Sequence, residues 1–292
     1  MKRWIVNVVG MVSLGVAAAM SAGPARAADD AIVQADHSLV QALEKGDKAA
    51  ANKLLDPDFT WIDSQGILWY KDDAFRAGLK PLIPNGSDVK ITEHKYGKVV
   101  WIQENQGKNY VAHFWVERPE GWRLLHTTEI AVRPKDYTSV RPNFDVPCVN
   151  PCKEVPYQPI TKSEKEALAG WQDQESGPEG WDRRIATNLD QRAVMTWIGP
   201  RPATKDIIAA RNKHMQENPN EPKVAAVPAL WMRTWDFGDA VVMIACQPTY
   251  GEKAYWASRV FAKTNGLWQM AESYHNYIAA SPVMTAVPAT TK

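Results

Sequence analysis

The sequence predicts an α+β protein made of two tandem copies of one unit, and three observations carry that expectation. Three anchors recur in the same order in both halves. Thr60-Trp61-Ile62, Lys71-Asp72 and Gly121-Trp122 are matched by Thr196-Trp197-Ile198, Lys205-Asp206 and Gly266-Leu267-Trp268. In each half, helix-period signals come first and long strands follow. Between the halves, residues 134–160 are rich in Pro, lack periodicity and read as a linker. From Thr60 to Thr196 is 136 positions and from Trp122 to Trp268 is 146, so the second copy carries an insertion, placed in the Asn- and Pro-rich residues 216–229.

Residues 1–27 read as an address. Lys2 and Arg3 precede an apolar run from Trp4 to Ala22, and Ala25-Arg26-Ala27 offers small residues where a signal peptidase reads, which predicts cleavage after Ala27 and a periplasmic or secreted protein. The remaining divisions follow: 28–133 a first domain, 134–160 the linker, 161–279 a second and divergent domain, and 280–292 a tail. The 292-residue chain carries 34 Lys and Arg against 33 Asp and Glu. A net charge of +1 offers no field to attract nucleic acid, and after signal cleavage nothing calls for a membrane partner. Within the linker, Cys148 and Cys152 flank Val-Asn-Pro and suit a local disulfide in an oxidising compartment, whereas Cys246 lies in an apolar strand and reads as a buried thiol. No zinc spacing, phosphate loop or nucleophile elbow is present, so neither a metal nor a cofactor is expected.

In the first copy, Ala31, Val33, Ala35, Leu39, Val40 and Leu43 fall on a helical stripe that Gly46 ends, and Ala49 to Leu55 continues as a second helix. Strands are expected over 90–94, 99–104, 110–117 and 122–132. The second copy reads as helix over 164–174 and 181–186 and as strand over 231–235, 240–246, 253–263 and 268–278.

The wording of Asp58-Phe59-Thr60-Trp61-Ile62-Asp63-Ser64-Gln65-Gly66, Lys71-Asp72-Asp73-Ala74-Phe75 and Gly121-Trp122-Arg123-Leu124-Leu125-His126 resembles the nuclear transport factor 2-like superfamily. The branch is that of ketosteroid-isomerase-like, polyketide-cyclase-like and kinase-association domains. The likeness covers 29–133 and, more weakly, 161–279, where Gly199 and Pro200 stand in place of Asp63 and Ser64. It implies two tandem cone-shaped domains, each a curved antiparallel sheet wrapped around N-terminal helices, with a pocket at the wide end. It also implies that a carboxylate near the end of the Thr-Trp-Ile strand, here Asp63, can serve as a base.

The hairpin turns set an expected register. With Pro119-Glu120 as a two-residue loop, His113 opposes His126 and Tyr110 opposes Glu129. With Asn265-Gly266 as the loop, Arg259 opposes Glu272 and Trp256 opposes His275. His113 and His126 are therefore candidate acid–base partners beside Asp63, and Arg259 with Glu272 would hold fixed charge in the second copy. Trp61, Trp69, Tyr110, Trp115, Glu129 and Trp197 are candidates to line a pocket. Each candidate also has a plainer role: imidazoles on a solvent-facing sheet, an Asp bonding its own turn, aromatic rings filling a core. The leading expectation is a pocket for a small apolar or aromatic molecule in a protein that can form a homodimer. The alternative is an isomerase, lyase or dehydratase using His and Asp chemistry in the first domain.

Overall fold

The computed structural model describes residues 24–86, 88–132, 157–175, 180, 183–184, 193–196, 199–202, 209–210, 213–214, 216–218, 229–247 and 255–278. Cys148, Cys152 and Trp197, together with most of the signal segment, most of the linker and the tail, lie outside the described residues.

Helix α1 (Pro24–Glu44) buries Ile32, Leu39, Val40 and Ala42 along one stripe. Cleavage after Ala27 would trim only its first turn. Gly46 follows at a φ of 68°, a conformation open to glycine, and Asp47 then caps α2 (Lys48–Leu54) by accepting from the Ala50 N–H at 2.9 Å. The chain continues through β1 (Leu55–Ile62), β2 (Leu68–Tyr70), α3 (Lys71–Ala77), β3 (Lys90–Tyr96), β4 (Val99–Gln106), β5 (Asn109–Arg118) and β6 (Gly121–Ala131). The second half contains α4 (Lys162–Glu175), β7 (Ala193–Thr196), β8 (Gly199–Pro202), β9 (Trp231–Asp236), β10 (Ala240–Gln247), β11 (Tyr255–Thr264) and β12 (Leu267–Tyr277). Helix α4 starts on a reciprocal cap in which Thr161 Oγ1 accepts from the Glu164 N–H while the Glu164 carboxylate accepts from the Thr161 N–H.

Two six-stranded sheets result, in the orders β2-β1-β6-β5-β4-β3 and β8-β7-β12-β11-β10-β9. They are not wholly antiparallel. β1 runs parallel to β6 and β7 parallel to β12, because each first strand enters the sheet from the helices rather than through a hairpin. Val194 pairs with Ser273 as Trp61 pairs with Thr127, so the ladder puts Val194, and not Trp197, in the place of Trp61. The expected match of Thr60 with Thr196 is therefore off by a few positions, while Trp122 and Trp268 do hold equivalent rungs, opposite Glu117 and Lys263.

One face of the first sheet packs Phe59, Trp61, Val100, Ile102, Trp115 and Leu124 against the helices. One face of the second packs Val241, Met243, Phe261, Trp268 and Met270 against Ala167, Leu168 and Trp171 of α4. The two remaining faces bury each other in a single core that includes Trp101, Phe114, Leu125, Val242, Val260 and Tyr274. Each fully buried side chain of this size stabilises the fold by about 2 kcal/mol, so the shared core joins the halves. Polar contacts fix their relative register: Trp256 donates to the Gly66 carbonyl at 2.8 Å, and Asn276 Nδ2 donates to the carbonyls of Asp63 at 2.8 Å and Glu129 at 2.6 Å.

Both expected hairpin registers begin correctly and then slip by one. Arg118 opposes Gly121 and Trp115 opposes Leu124, but Leu125 bulges out, after which Phe114 opposes His126 and His113 opposes Thr127. Val111, not Tyr110, then faces Glu129, and Tyr110 faces Ile130. In the second sheet Ala271 is the extra residue, so Arg259 opposes Ser273, Val260 opposes Glu272 and Trp256 opposes Asn276. A one-residue slip moves everything beyond it to the other face. His113 and His126 are thus on opposite faces, as are Arg259 and Glu272.

Candidate functional site

The helix-side face of the first sheet gathers four buried ionisable groups from four elements: Asp36 of α1, Glu104 of β4, His113 of β5 and Glu129 of β6. The placement follows from strand alternation, since Val100, Ile102 and Glu104 share a face, as do Val111, His113 and Trp115. Asp36 comes down from above, four residues after Ile32 and three before Leu39 on the buried stripe of α1.

Asp36 Oδ1 lies 2.7 Å from His113 Nδ1 and accepts from Trp115 Nε1 at 2.6 Å. Burial opposes charge on Asp36, but the His113 charge and both hydrogen bonds outweigh it, and the carboxyl sits below its ordinary value. Burial likewise opposes the imidazolium, yet the Asp36 carboxylate lifts His113 to about 9. Glu104 rises to about 7, chiefly through burial, and burial lifts Glu129 to about 8. At neutral pH the set is an Asp36–His113 ion pair beside two carboxyls poised between their protonated and ionised forms.

Glu104, His113, Thr127 and Glu129 form the polar side of a cavity whose other walls are mainly apolar, among them Leu39, Phe59, Val111 and Leu124, with the segment Leu79 to Ile83, including Lys80, part of the lining. The free volume is about 20 Å³, enough for about one water. A larger guest therefore requires the lining to rearrange. Asp36, Glu104 and His113 also present ligand atoms within 4.8 Å of one another, a spacing that suits a divalent cation. Within that cluster Asp36 Oδ1 is shared by His113 Nδ1 and the Trp115 N–H.

Of the residues expected from sequence, His113 and Glu129 line this cavity and Trp115 adjoins it through Asp36. His126 does not. It lies on the far face, fully buried between Thr60 Oγ1 at 2.9 Å and Ser258 Oγ at 2.8 Å, and burial pushes it down to about 3, so it is a neutral bridge between the halves. Asp63 accepts from the N–H groups of Gln65 and Ile67 and from Trp69 Nε1, which makes it a turn-forming residue with its carboxylate in use. Trp61 stacks on Trp69 at 6.3 Å within the helix-side core, and Tyr110 packs on the inter-sheet core. Glu272 also faces the other sheet, 2.6 Å from His94 Nδ1 and accepting from the Tyr96 hydroxyl. Arg259 stays on the helix side of its sheet, bonded through Nη2 to Gln247 Oε1 at 2.7 Å. Asp36 and Glu104 were not expected, although each interrupts an apolar series that the sequence displays.

No family model matches the chain, and no curated protein matches it. Among solved structures, an NTF2-like protein from Cytophaga hutchinsonii is 14% identical with a TM-score of 0.28, the match covering 36% of this chain and 98% of that one. The association domain of C. elegans CaMKII is 17% identical with a TM-score of 0.27, over 36% of this chain and 96% of that one. An NTF2-like protein of unknown function in nutrient uptake from Rhodospirillum rubrum is 20% identical with a TM-score of 0.28, over 35% of this chain and 98% of that one. Over 35 to 40% of its length the chain is similar to solved NTF2-like proteins, the superfamily its sequence motifs resemble.

Proposed function

We propose that this chain is an exported protein of two like cone-shaped units, and that the first unit acts by general acid–base transfer on a small, largely apolar molecule carrying a carbonyl or hydroxyl group. One observation carries the reading: three buried ionisable groups, Glu104, His113 and Glu129, line one wall of a largely apolar cavity, with Asp36 bonded to His113 behind them. His113 spends Nδ1 on Asp36, which leaves its Nε2–H to donate to a substrate oxygen. Glu129 accepts from the Ser64 N–H through Oε2, and a value of about 8 suits a base that must take a proton and return it near neutral pH. Asp36 is a positioning residue that holds the imidazole in place and charged. The mainly apolar cavity walls would select apolar guests. With the outer sheet faces spent on each other, any homodimer would use a different surface.

A second reading, binding without turnover, has its own support in the small free volume and in the extent to which the polar groups already satisfy one another. Deuterium uptake next to the carbonyl of small cyclic ketones, followed by nuclear magnetic resonance in heavy water, separates the two. The expected result is exchange above the buffer rate that Glu129→Gln lowers about a hundredfold or more. Ketone-induced shifts at His113 without exchange would leave only the binding reading, and the absence of both would sink the assignment of this cavity.

A further inference from the structure

Arg259 holds the same rung in the second sheet that His113 holds in the first: His113 opposes Thr127, Arg259 opposes Ser273, and each stands on the helix-side face. Its surroundings differ in charge. His113 has Asp36 at 2.7 Å, whereas Arg259 forms no ion pair among the described residues, and its hydrogen bond there runs from Nη2 to the neutral Gln247. Arg259 is only 2% exposed, and both Nε and Nη1 are buried without an acceptor. Several acids of this half are engaged elsewhere. Glu164 caps α4 and accepts from Tyr157 and Thr234, Glu166 pairs with Lys263, Asp173 pairs with Arg183 and Arg184, and Glu272 faces the other sheet.

A buried guanidinium costs several kcal/mol when no anion compensates it. The residues beside it on the same face are suited to a ligand. Ser273 Oγ lies 3.0 Å from His275 Nε2, and the His275 ring packs on Tyr255 with centroids 4.9 Å apart. Guanidinium, hydroxyl, imidazole and phenol ring therefore share one stretch of the sheet, the donors next to an aromatic surface.

We propose that the second unit binds a small organic acid, its carboxylate held by Arg259 Nε and Nη1 with Ser273, and its apolar part against Tyr255 and His275. Lys263, on the same face of β11, is already paired with Glu166, so one fixed positive charge is left to balance one carboxylate, and a monoanion fits better than a doubly charged phosphate. This site is separate from the acid–base cavity and does not depend on it.

The test uses the full mature chain with benzoate, acetate and inorganic phosphate as probes, at constant ionic strength set with chloride. Titration calorimetry should give saturable binding for benzoate, weaker binding for acetate and the weakest for phosphate, with benzoate raising the melting temperature. Arg259→Gln should weaken benzoate binding about tenfold or more while Arg259→Lys retains part of it. Equal benzoate affinity in wild type and Arg259→Gln would overturn the proposal. If Arg259→Gln does not fold, the wild-type titration decides alone, with Ser273→Ala as its control: the absence of saturable benzoate binding, or phosphate binding more tightly than benzoate, overturns it as well.

Discussion

Leu125 in β6 and Ala271 in β12 are the extra residues of two β-bulges that occupy the same place in their sheets, 146 positions apart, the same separation as Trp122 and Trp268. Each bulge sits between the hairpin turn and the functional rungs. Before it, odd and even positions fall as the turn dictates; after it, they exchange faces. The bulge is therefore what sends Glu129 into the cavity and His126 into the seam between the halves.

Deleting Leu125 should close the ladder without moving any residue to the other face, because Leu124 would then be followed directly by His126, still opposite Phe114, with Glu129 still opposite Val111. What is lost is the Leu125 side chain in the inter-sheet core. The deletion variant is therefore expected to keep a cooperative thermal transition and to lose about 2 to 5 kcal/mol, as Leu125→Ala does. Loss of cooperative unfolding in the deletion variant alone would show that the sheet needs the bulge itself and not only the faces it sets.

Asp36→Asn removes the charge that holds His113 up. Burial, which favours the neutral ring, then prevails, so His113 should titrate well down from about 9 toward or below the ordinary 6.5. Breaking this buried pair should also destabilise the fold by about 3 kcal/mol. Nuclear magnetic resonance of the imidazole against pH reads the first effect and chemical denaturation the second; an unmoved His113 would mean that another carboxylate sustains its charge.

The eight long strands of the two hairpin series were legible from the chain because a period of two is a local signal, and their observed limits fall within about two residues of those expected, whereas the short β2 and β8 were not foreseen. Asn265 and Gly266 both adopt positive φ, as the Asn-Gly pair foretold. The bulges were not legible. Leu125 and Ala271 are ordinary apolar residues, neither Gly nor beside Pro, and the slip is stabilised by packing between the two sheets, which no single strand encodes. The candidate site failed at that point, pairing His113 with a residue on the other face. Asp36 and Glu104 could have been found as polar interruptions of the Ile32–Leu39 stripe and of the Val100–Ile102 series. What made them functional candidates was convergence from α1 and β4, elements some 60 residues apart in the chain.

Stability against pH should separate the two buried networks, because their signs differ. His126 titrates near 3 in the fold and 6.5 when free, so between these values the unfolded chain takes a proton that the folded chain refuses, and stability is lost as pH falls from 6.5. Glu129 is the reverse: held near 8 against 4.5 when free, it stays protonated in the fold while the unfolded chain ionises, and stability is lost as pH rises from 4.5 to 8. His113, raised to about 9, adds to that loss between 6.5 and 9. Each fully differing proton contributes a slope of about 1.4 kcal/mol per pH unit. Glu104, held near 7 against 4.5 when free, has the same sign as Glu129 and adds to the loss from 4.5 to 7. The wild type should therefore be most stable near pH 4.5, and should weaken fastest from 6.5 to 7, where Glu129, Glu104 and His113 act together and His126 no longer opposes them. Denaturant titrations across this range should find that Glu129→Gln flattens the limb from 4.5 to 6.5, lessens the slope from 6.5 to 8 and leaves the acid limb intact, while His126→Asn removes the acid limb. If Glu129→Gln left the alkaline slope unchanged, Glu129 would be ionised in the fold, and its role as the group that takes and returns the proton would have to pass to Glu104.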